Sequence, residues 1–74
     1  MIFDYSKLLG RIKECGFTQN SLAEAIGINK STLSAKLNNK NVFTTIEMVK
    51  ILRLLDVPMH EIDEYFFVEK VQKL

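Results

Sequence analysis

The sequence predicts an all-α domain of five helices, with a helix-turn-helix formed by the second and third. Apolar residues recur at spacings of three and four along segments that are separated by Gly, Asn or Pro. A side chain able to cap a helix precedes each of the first four segments. The predicted helices cover residues about 5–15, 19–26, 30–38, 45–55 and 59–66, and a tail follows at 67–74.

The length of 74 residues, with 47% hydrophobic and 26% charged residues, is typical of one globular domain. The net charge is only +1, but residues 1–40 carry six cations and three anions, whereas residues 41–74 carry four cations and six anions. The half that contains the predicted helix-turn-helix is therefore the basic half. No apolar run approaches the roughly 20 residues of a membrane span, and no signal segment is recognisable, so a cytoplasmic protein is expected.

The first helix has a cap, an apolar face and an end. Asp4 can accept the free amide protons of the first turn, and Gly16 can end the helix. The apolar face is formed by Tyr5, Leu8, Ile12 and Cys15. Because Cys15 is the single cysteine and lies on this face, a small buried thiol is expected rather than a redox or nucleophilic group.

The second and third helices have the signals of a tight helical pair. Thr18 is placed to cap the second helix, and Gly27 can adopt the left-handed conformation that a sharp turn requires. Small residues at Ala23 and Gly27 are expected to let the two helices cross closely. Asn29 is placed to cap the third helix.

The fourth helix has more apolar residues than it needs to pack one face against the core. Thr44 and Glu47 have the spacing of a capping box at its start. Ile46, Val49 and Leu54 extend its apolar surface beyond the face directed at the core. This excess indicates a surface for a partner.

The fifth helix and the tail are less strongly specified. Pro58 fits the first position of a short helix that turns Ile62, Tyr65 and Phe66 inward. The tail mixes apolar residues with charged and polar residues in a way that suits either a strand or a continued helix. An extended arm is favoured.

Several sequence landmarks occur together in a characteristic order. They are Gly16-Phe17-Thr18-Gln19, Leu22-Ala23, Gly27-Ile28, Leu33-Ser34 and Leu55-Asp56-Val57. In this order the chain resembles the phage lambda-type repressor and Cro family of helix-turn-helix domains, over about residues 4–67. The resemblance implies a small phage or prophage transcriptional regulator of Cro-like type that binds double-stranded DNA.

The chain departs from this family pattern at the end of the third helix. The family often has an acidic residue and then Gly, where this chain has Leu37 and Asn39. The acid frequently pairs with a basic residue of the first helix, and Ile12 occupies that position here, so an apolar contact is expected in place of a charged pair. Lys36 stands where an apolar residue is usual, so either the helix is slightly rotated or the lysine stem packs while its amine reaches solvent.

The resemblance implies that the third helix lies in the major groove of DNA. The residues expected to contact base edges are Asn29, Lys30, Ser31, Thr32 and Ala35. Lys30 can donate to guanine and Ser31 can donate or accept, whereas the methyl groups of Thr32 and Ala35 can meet a thymine methyl. The residues expected to bind phosphates are Gln19, Lys36, Asn38, Asn39, Lys40 and Asn41.

A homodimer is expected, because one motif of this size buries little surface and binds a specific site only weakly. The operator would then be an inverted repeat with half-sites about 34 Å apart. The residues expected at the dimer interface are Leu54, Phe67, Val68 and Val71. These side chains could instead complete the small core.

Two other classes of function compete with DNA binding. A protein-binding adaptor or antitoxin-like module suits the near-neutral net charge and the acidic C-terminal half. Catalysis is not expected, because one His, one Cys and no clustered carboxylates make neither a catalytic triad nor a metal site. No cofactor, metal or small-molecule ligand is expected, and His60 is predicted to face solvent.

Overall fold

The computed structural model describes residues 2–71, which form five α-helices and one 3₁₀ turn. The α-helices are α1 (Ser6–Glu14), α2 (Gln19–Ile26), α3 (Lys30–Leu37), α4 (Thr45–Leu54) and α5 (Ile62–Phe66), and the 3₁₀ turn is Met59–Glu61. The predicted all-α class is confirmed, and α1 to α4 begin and end within one residue of the predicted positions. Within residues 2–71, no helix has the length and apolar content needed to cross a membrane.

Local hydrogen bonds fix where α1 and α2 begin. Asp4 Oδ1 accepts the backbone N–H of Ser6 at 2.9 Å, so Asp4 satisfies one free donor of the first turn of α1. Thr18 Oγ1 accepts the N–H of Ser21 at 3.0 Å, and Ser21 Oγ accepts the N–H of Thr18 at 2.9 Å. This reciprocal capping box adds a partner for Thr18 to the simple cap that the sequence predicts.

The turn between α2 and α3 depends on the backbone conformation of Gly27. Its φ of +85° lies in the left-handed region that favours glycine. A Cβ atom at Gly27 would have no heavy atom within 4 Å, so the residue is required for its conformation and not for close helix packing. The expectation that both small residues serve the helix crossing therefore holds only for Ala23, which is buried.

One core receives side chains from every helix. Its buried members are Tyr5, Leu8, Ile12, Leu22, Ala23, Ile26, Leu33, Leu37, Phe43, Ile51, Leu52, Leu55, Val57, Tyr65 and Phe66. The rings of Tyr5, Phe43 and Phe66 meet edge to face, with centroids 5.1 to 6.5 Å apart. This aromatic cluster joins the segment before α1, the segment before α4 and the end of α5.

The two ends of the described chain pair as a short antiparallel ribbon. The N–H of Asp4 donates to the carbonyl oxygen of Val68 at 2.7 Å, and the N–H of Lys70 donates to the carbonyl oxygen of Ile2 at 2.7 Å. The favoured extended tail is thus present up to residue 71. Residues 72–74 of the predicted tail lie outside the described part of the chain.

The prediction that Cys15 is a buried thiol is wrong, because its side chain is exposed. The helix α1 ends at Glu14, so the periodicity that places a residue on the inner face no longer applies at position 15. The thiol lies at the edge of the core, where Cys15 Sγ is 3.6 Å from the carbonyl oxygen of Leu55.

Candidate nucleic-acid interface

The helix α3 packs on the core along one side and is open along the other. Leu33 and Leu37 are buried, and Ile28 in the preceding turn is partly buried. Lys30 and Ser31, in the first turn of α3, are exposed. The first turn of α3 is therefore accessible to a ligand, as a major-groove contact requires.

Asn29 organises this first turn through one carboxamide oxygen. Asn29 Oδ1 accepts the backbone N–H of Thr32 at 3.1 Å, the hydroxyl of Ser31 at 3.0 Å and the hydroxyl of Thr32 at 2.7 Å. Both hydroxyl protons are thus engaged within the turn, although each oxygen retains acceptor capacity. The side chain of Lys30 is not held in this way and has no ion pair within residues 2–71.

The other predicted contact residues near this turn are less exposed. Thr32 and Ala35 on α3 are partly buried, and each carries a methyl group at the margin of the open side. Gln19 is the first residue of α2 and is also partly buried. Free backbone donors and the helix dipole at that position favour a nearby anion.

Lys36, expected to bind phosphate, is instead buried and paired. Lys36 is only 8% exposed. Its Nζ atom lies 2.8 Å from Glu47 Oε1 and 3.0 Å from the carbonyl oxygen of Val42. The expectation that the amine reaches solvent is therefore wrong. The position faces α4, where the carboxylate of Glu47 provides the anion that a buried ammonium requires.

Glu47 connects this ion pair to the start of α4. The same oxygen, Glu47 Oε1, accepts the backbone N–H of Thr44 at 2.8 Å, and Thr44 Oγ1 accepts the N–H of Glu47 at 3.2 Å. Burial acts to raise the pKa of Glu47, but the hydrogen bonds from Lys36 and from the Thr44 backbone outweigh burial and lower it. The carboxylate is therefore charged at neutral pH and holds α3, the following loop and α4 together.

Asn39, also expected to bind phosphate, is committed to the terminal ribbon. Asn39 Oδ1 accepts the N–H of Phe3 at 2.8 Å, and Asn39 Nδ2 donates to the carbonyl oxygen of Phe3 at 3.0 Å. The prediction for Asn39 is thus corrected, because both ends of its carboxamide already have backbone partners. Asn39 also has a φ of +62°, a conformation that asparagine tolerates better than most residues.

The remaining residues of this loop are open to solvent. Asn38 Nδ2 donates to the carbonyl oxygen of Ser34 at 2.8 Å, which closes the end of α3, and the residue itself is exposed. Lys40 and Asn41 are exposed and have no side-chain hydrogen bond within residues 2–71. The cations left on this surface are therefore Lys30 and Lys40, fewer than the sequence predicts.

The residues predicted for a dimer interface are exposed but lie on two different elements. Leu54 ends α4 and is 40% exposed. Phe67, Val68 and Val71 belong to the terminal ribbon, where the ring of Phe67 contacts Phe3 at a centroid distance of 6.2 Å. The three ribbon residues are thus each exposed, and Leu54 belongs to the surface of α4.

Groups that could support metal or acid–base chemistry are sparse in residues 2–71. No three His, Cys, Asp or Glu side chains in this range are arranged to hold a metal ion. His60 is exposed, with its Nε2 3.8 Å from Glu61 Oε2. This arrangement resembles a surface contact near a helix start and not an enclosed site.

The fold and the open start of α3 define a small all-α protein in which a tight turn at Gly27 joins α2 and α3. The chain belongs to a family described as "Protein of unknown function (DUF739)", whose model matches residues 1–69. It is similar to the solution structure of the modulator of repression (MOR) of the temperate bacteriophage TP901-1 from Lactococcus lactis. The two chains are 40% identical, with a TM-score of 0.78 and 97% of each chain covered. No curated protein matches.

Proposed function

We propose that this chain is a small phage or prophage regulator that binds a specific double-stranded DNA site with α3. The observation that carries the proposal is the first turn of α3, which is rigidly capped by Asn29 yet leaves Lys30 free and exposed. A preformed helix start with one mobile cation suits contact with base edges in the major groove. The relative from phage TP901-1, named a modulator of repression, supports the regulatory role.

Within this proposal, the α3 side chains have different tasks. Lys30 donates to guanine, and Ser31 accepts through its hydroxyl oxygen, since its proton is engaged by Asn29. Thr32 and Ala35 offer methyl groups to thymine, and the free Nδ2 of Asn29 can donate to a base or a phosphate. The phosphate-binding groups are then Gln19, Lys40 and Asn41. Lys36 and Asn39 have partners inside the protein, and Asn38 Nδ2 already donates to the carbonyl oxygen and to the hydroxyl oxygen of Ser34.

Because Lys30 and Lys40 are the cations left on this surface, one copy of the chain would bind DNA weakly. We therefore propose a homodimer on an inverted repeat, with half-sites about 34 Å apart, acting in the bacterial cytoplasm. The exposed apolar residues of the ribbon, Phe67, Val68 and Val71, are the side chains that would join the two copies. The expected effect is control of transcription through occupancy of an operator.

A second candidate function is regulation through a protein bound at the open side of α3. The burial of Lys36 favours it, because the loss of one cation leaves a polar and weakly charged surface. The name "modulator of repression" of the TP901-1 relative suits a protein that acts on regulation without being the repressor itself. Salt separates the two candidates, since DNA affinity falls steeply with added salt and affinity for a largely uncharged protein surface changes little.

Selection of bound duplexes from a random DNA library, at physiological salt, tests the primary proposal. We expect enrichment of an inverted repeat with half-sites one helical turn apart. A matched selection with Lys30→Ala should enrich a different or weaker consensus, because this side chain reads a base. The absence of any enriched sequence with the unmodified chain would contradict DNA recognition and favour the protein partner.

A further inference from the structure

The helix α4 has a second face that the core does not use. Its inner face packs into the protein through Met48, Ile51, Leu52 and Leu55. The opposite side, called here the α4 outer face, consists of Ile46, Val49, Lys50, Arg53 and Leu54. At 100° per residue, Ile46, Lys50 and Arg53 lie along its centre, with Val49 and Leu54 at its two edges.

The apolar residues of this face remain substantially exposed. Ile46 is 68% exposed and Leu54 is 40% exposed, while Val49 is partly buried. The capping box of α4 uses Thr44 and Glu47 and places no demand for an apolar side chain at position 46. Complete burial of an Ile or Leu side chain against a partner tightens binding by roughly 10- to 100-fold.

Both charged residues of the α4 outer face, Lys50 and Arg53, are positive. Lys50 and Arg53 are exposed and have no ion pair within residues 2–71, whereas Lys7, Arg11 and Lys36 are each paired with a glutamate. Glu47, the one acid of α4, is directed to Lys36 and not to this face. The face therefore combines apolar side chains with two unneutralised positive charges.

We propose that the α4 outer face docks an amphipathic helix of another protein that presents apolar side chains flanked by Asp or Glu. Apolar anchors at helical spacing would pack against Ile46 and Leu54, and the carboxylates would pair with Lys50 and Arg53. The ten residues of α4 span about 15 Å, enough to contact roughly three turns of a partner helix. This surface is separate from the start of α3, so the proposal extends beyond the DNA contact.

Other occupants fit the same face less well. A phosphate backbone would pair with the cations but would gain nothing from Ile46 and Leu54. Each cation near a membrane surface raises the affinity by about fivefold, so two cations on a short helix give weak attachment. A second copy packed symmetrically through this face would bring Lys50 and Arg53 toward their own counterparts, which repel.

Peptide selection with the full chain tests the proposal directly. A display library of random 16-residue peptides is selected for binding to the immobilised chain and counter-selected against the Ile46→Ser, Arg53→Glu double variant. We expect enriched peptides with apolar residues at helical spacing and at least two acidic residues. Chemical shifts of the ¹⁵N-labelled chain should then move on α4 when a selected peptide is added.

A charge reversal gives the matched control. Arg53→Glu should weaken binding of a selected peptide by about tenfold. Lys13→Glu, a charge reversal at an exposed cation of α1 that has no ion pair within residues 2–71, should leave the affinity within about twofold. Circular dichroism confirms that each variant remains helical. The proposal is overturned if no acidic amphipathic peptide is enriched, if the double variant binds the peptides equally, or if the shifts lie on α3.

DNA binding measured on the same variants keeps the two proposals apart. Ile46→Ser should abolish peptide binding and leave the affinity for a selected duplex unchanged. Pelleting of the chain with vesicles of phosphatidylserine and phosphatidylcholine, or a concentration-dependent dimer that Ile46→Ser disrupts, would overturn the protein partner in favour of a membrane or a second copy.

Discussion

Lys30 and Lys36 lie on the same helix and have opposite surroundings. Lys30 is exposed in the first turn of α3 and has no ion pair within the described residues. Lys36, on the side that faces α4, is 8% exposed and bonded to Glu47 and to the carbonyl oxygen of Val42. The same residue type is therefore available to a ligand at one position and part of the protein's internal framework at the other.

The two ends of α3 differ in the range of the contacts that hold them. The start is held by Asn29, which bonds groups two and three residues away. The end is held by partners 11 and 36 residues away, through Lys36 with Glu47 and Asn39 with Phe3. We infer that changes at the end of α3 affect stability, whereas changes at the start affect binding.

The largest expected effect is on stability when the buried ion pair is broken. Lys36→Ala should lower the free energy of unfolding by about 3 kcal/mol, because it leaves the partly buried Glu47 carboxylate without its cation. Urea unfolding followed by circular dichroism measures the change. Lys30→Ala is the matched control and should stay within about 0.5 kcal/mol of the unmodified chain. Equal losses in the two variants would contradict the distinction between the lysines.

The next effect tests the link between the end of α3 and the ribbon. Asn39→Ala should lower stability by about 2 to 3 kcal/mol, since it removes two hydrogen bonds and strains a left-handed backbone. Asn39→Gly tolerates this backbone and should lose about 1 to 2 kcal/mol. Urea unfolding measures both losses, and hydrogen exchange at the Phe3 amide should accelerate in both variants. Unchanged Phe3 exchange would argue against the link.

The start of α3 is tested by DNA affinity. Lys30→Ala should weaken binding to a selected duplex by about 1 to 3 kcal/mol and relax the preference at one base position. Lys40→Ala should weaken all duplexes alike and reduce the salt dependence by about one phosphate contact. Fluorescence anisotropy at several salt concentrations separates these results. An unaltered base preference with Lys30→Ala would remove this residue from the reading surface.

The smallest expected effect is the loss of stability that follows protonation of Glu47 at acidic pH. Its pKa in the folded protein lies below the ordinary value of 4.5, because its hydrogen bonds from Lys36 and Thr44 outweigh the opposing effect of burial. The resulting stability is present above pH 4.5 and is lost as the pH falls through the lower, folded-state pKa. Glu47→Gln lacks this titration, so the stability difference between the two proteins should shrink on acidification. A constant difference down to pH 3 would contradict the assigned charge state.

The elements that the sequence predicted correctly depend on local rules. Thr18, Asn29 and Thr44 cap helices through atoms two or three residues away, and Gly27 adopts its left-handed conformation within one turn. The spacing of apolar residues likewise predicted the core side chains of the first and fifth helices, which are Tyr5, Leu8, Ile12, Tyr65 and Phe66. Where a local rule ended, as at Cys15 just past the last turn of α1, the prediction failed.

The sequence predicted which helix forms the candidate site, but it did not predict which of the lysines on that helix stay exposed. Only the packing of α3 against α4 could reveal that Lys36 meets Glu47, because a capping box at Thr44 explains Glu47 without a cation nearby. The one available signal for this ion pair was that Lys36 stands where the resembled family usually has an apolar residue. Asn39 offered no comparable signal, since its partner is the backbone of Phe3.

The sequence by itself determined the helices, their caps, the turn at Gly27 and the exposed start of α3, because each depends on neighbours within a few residues. The tertiary structure decided which polar side chains remain free. Lys36 and Asn39 find their partners far along the chain, and such contacts form only when α1, α3 and α4 are brought together. The physical reason is that a buried charge or amide must be paired, and the partner is chosen by packing.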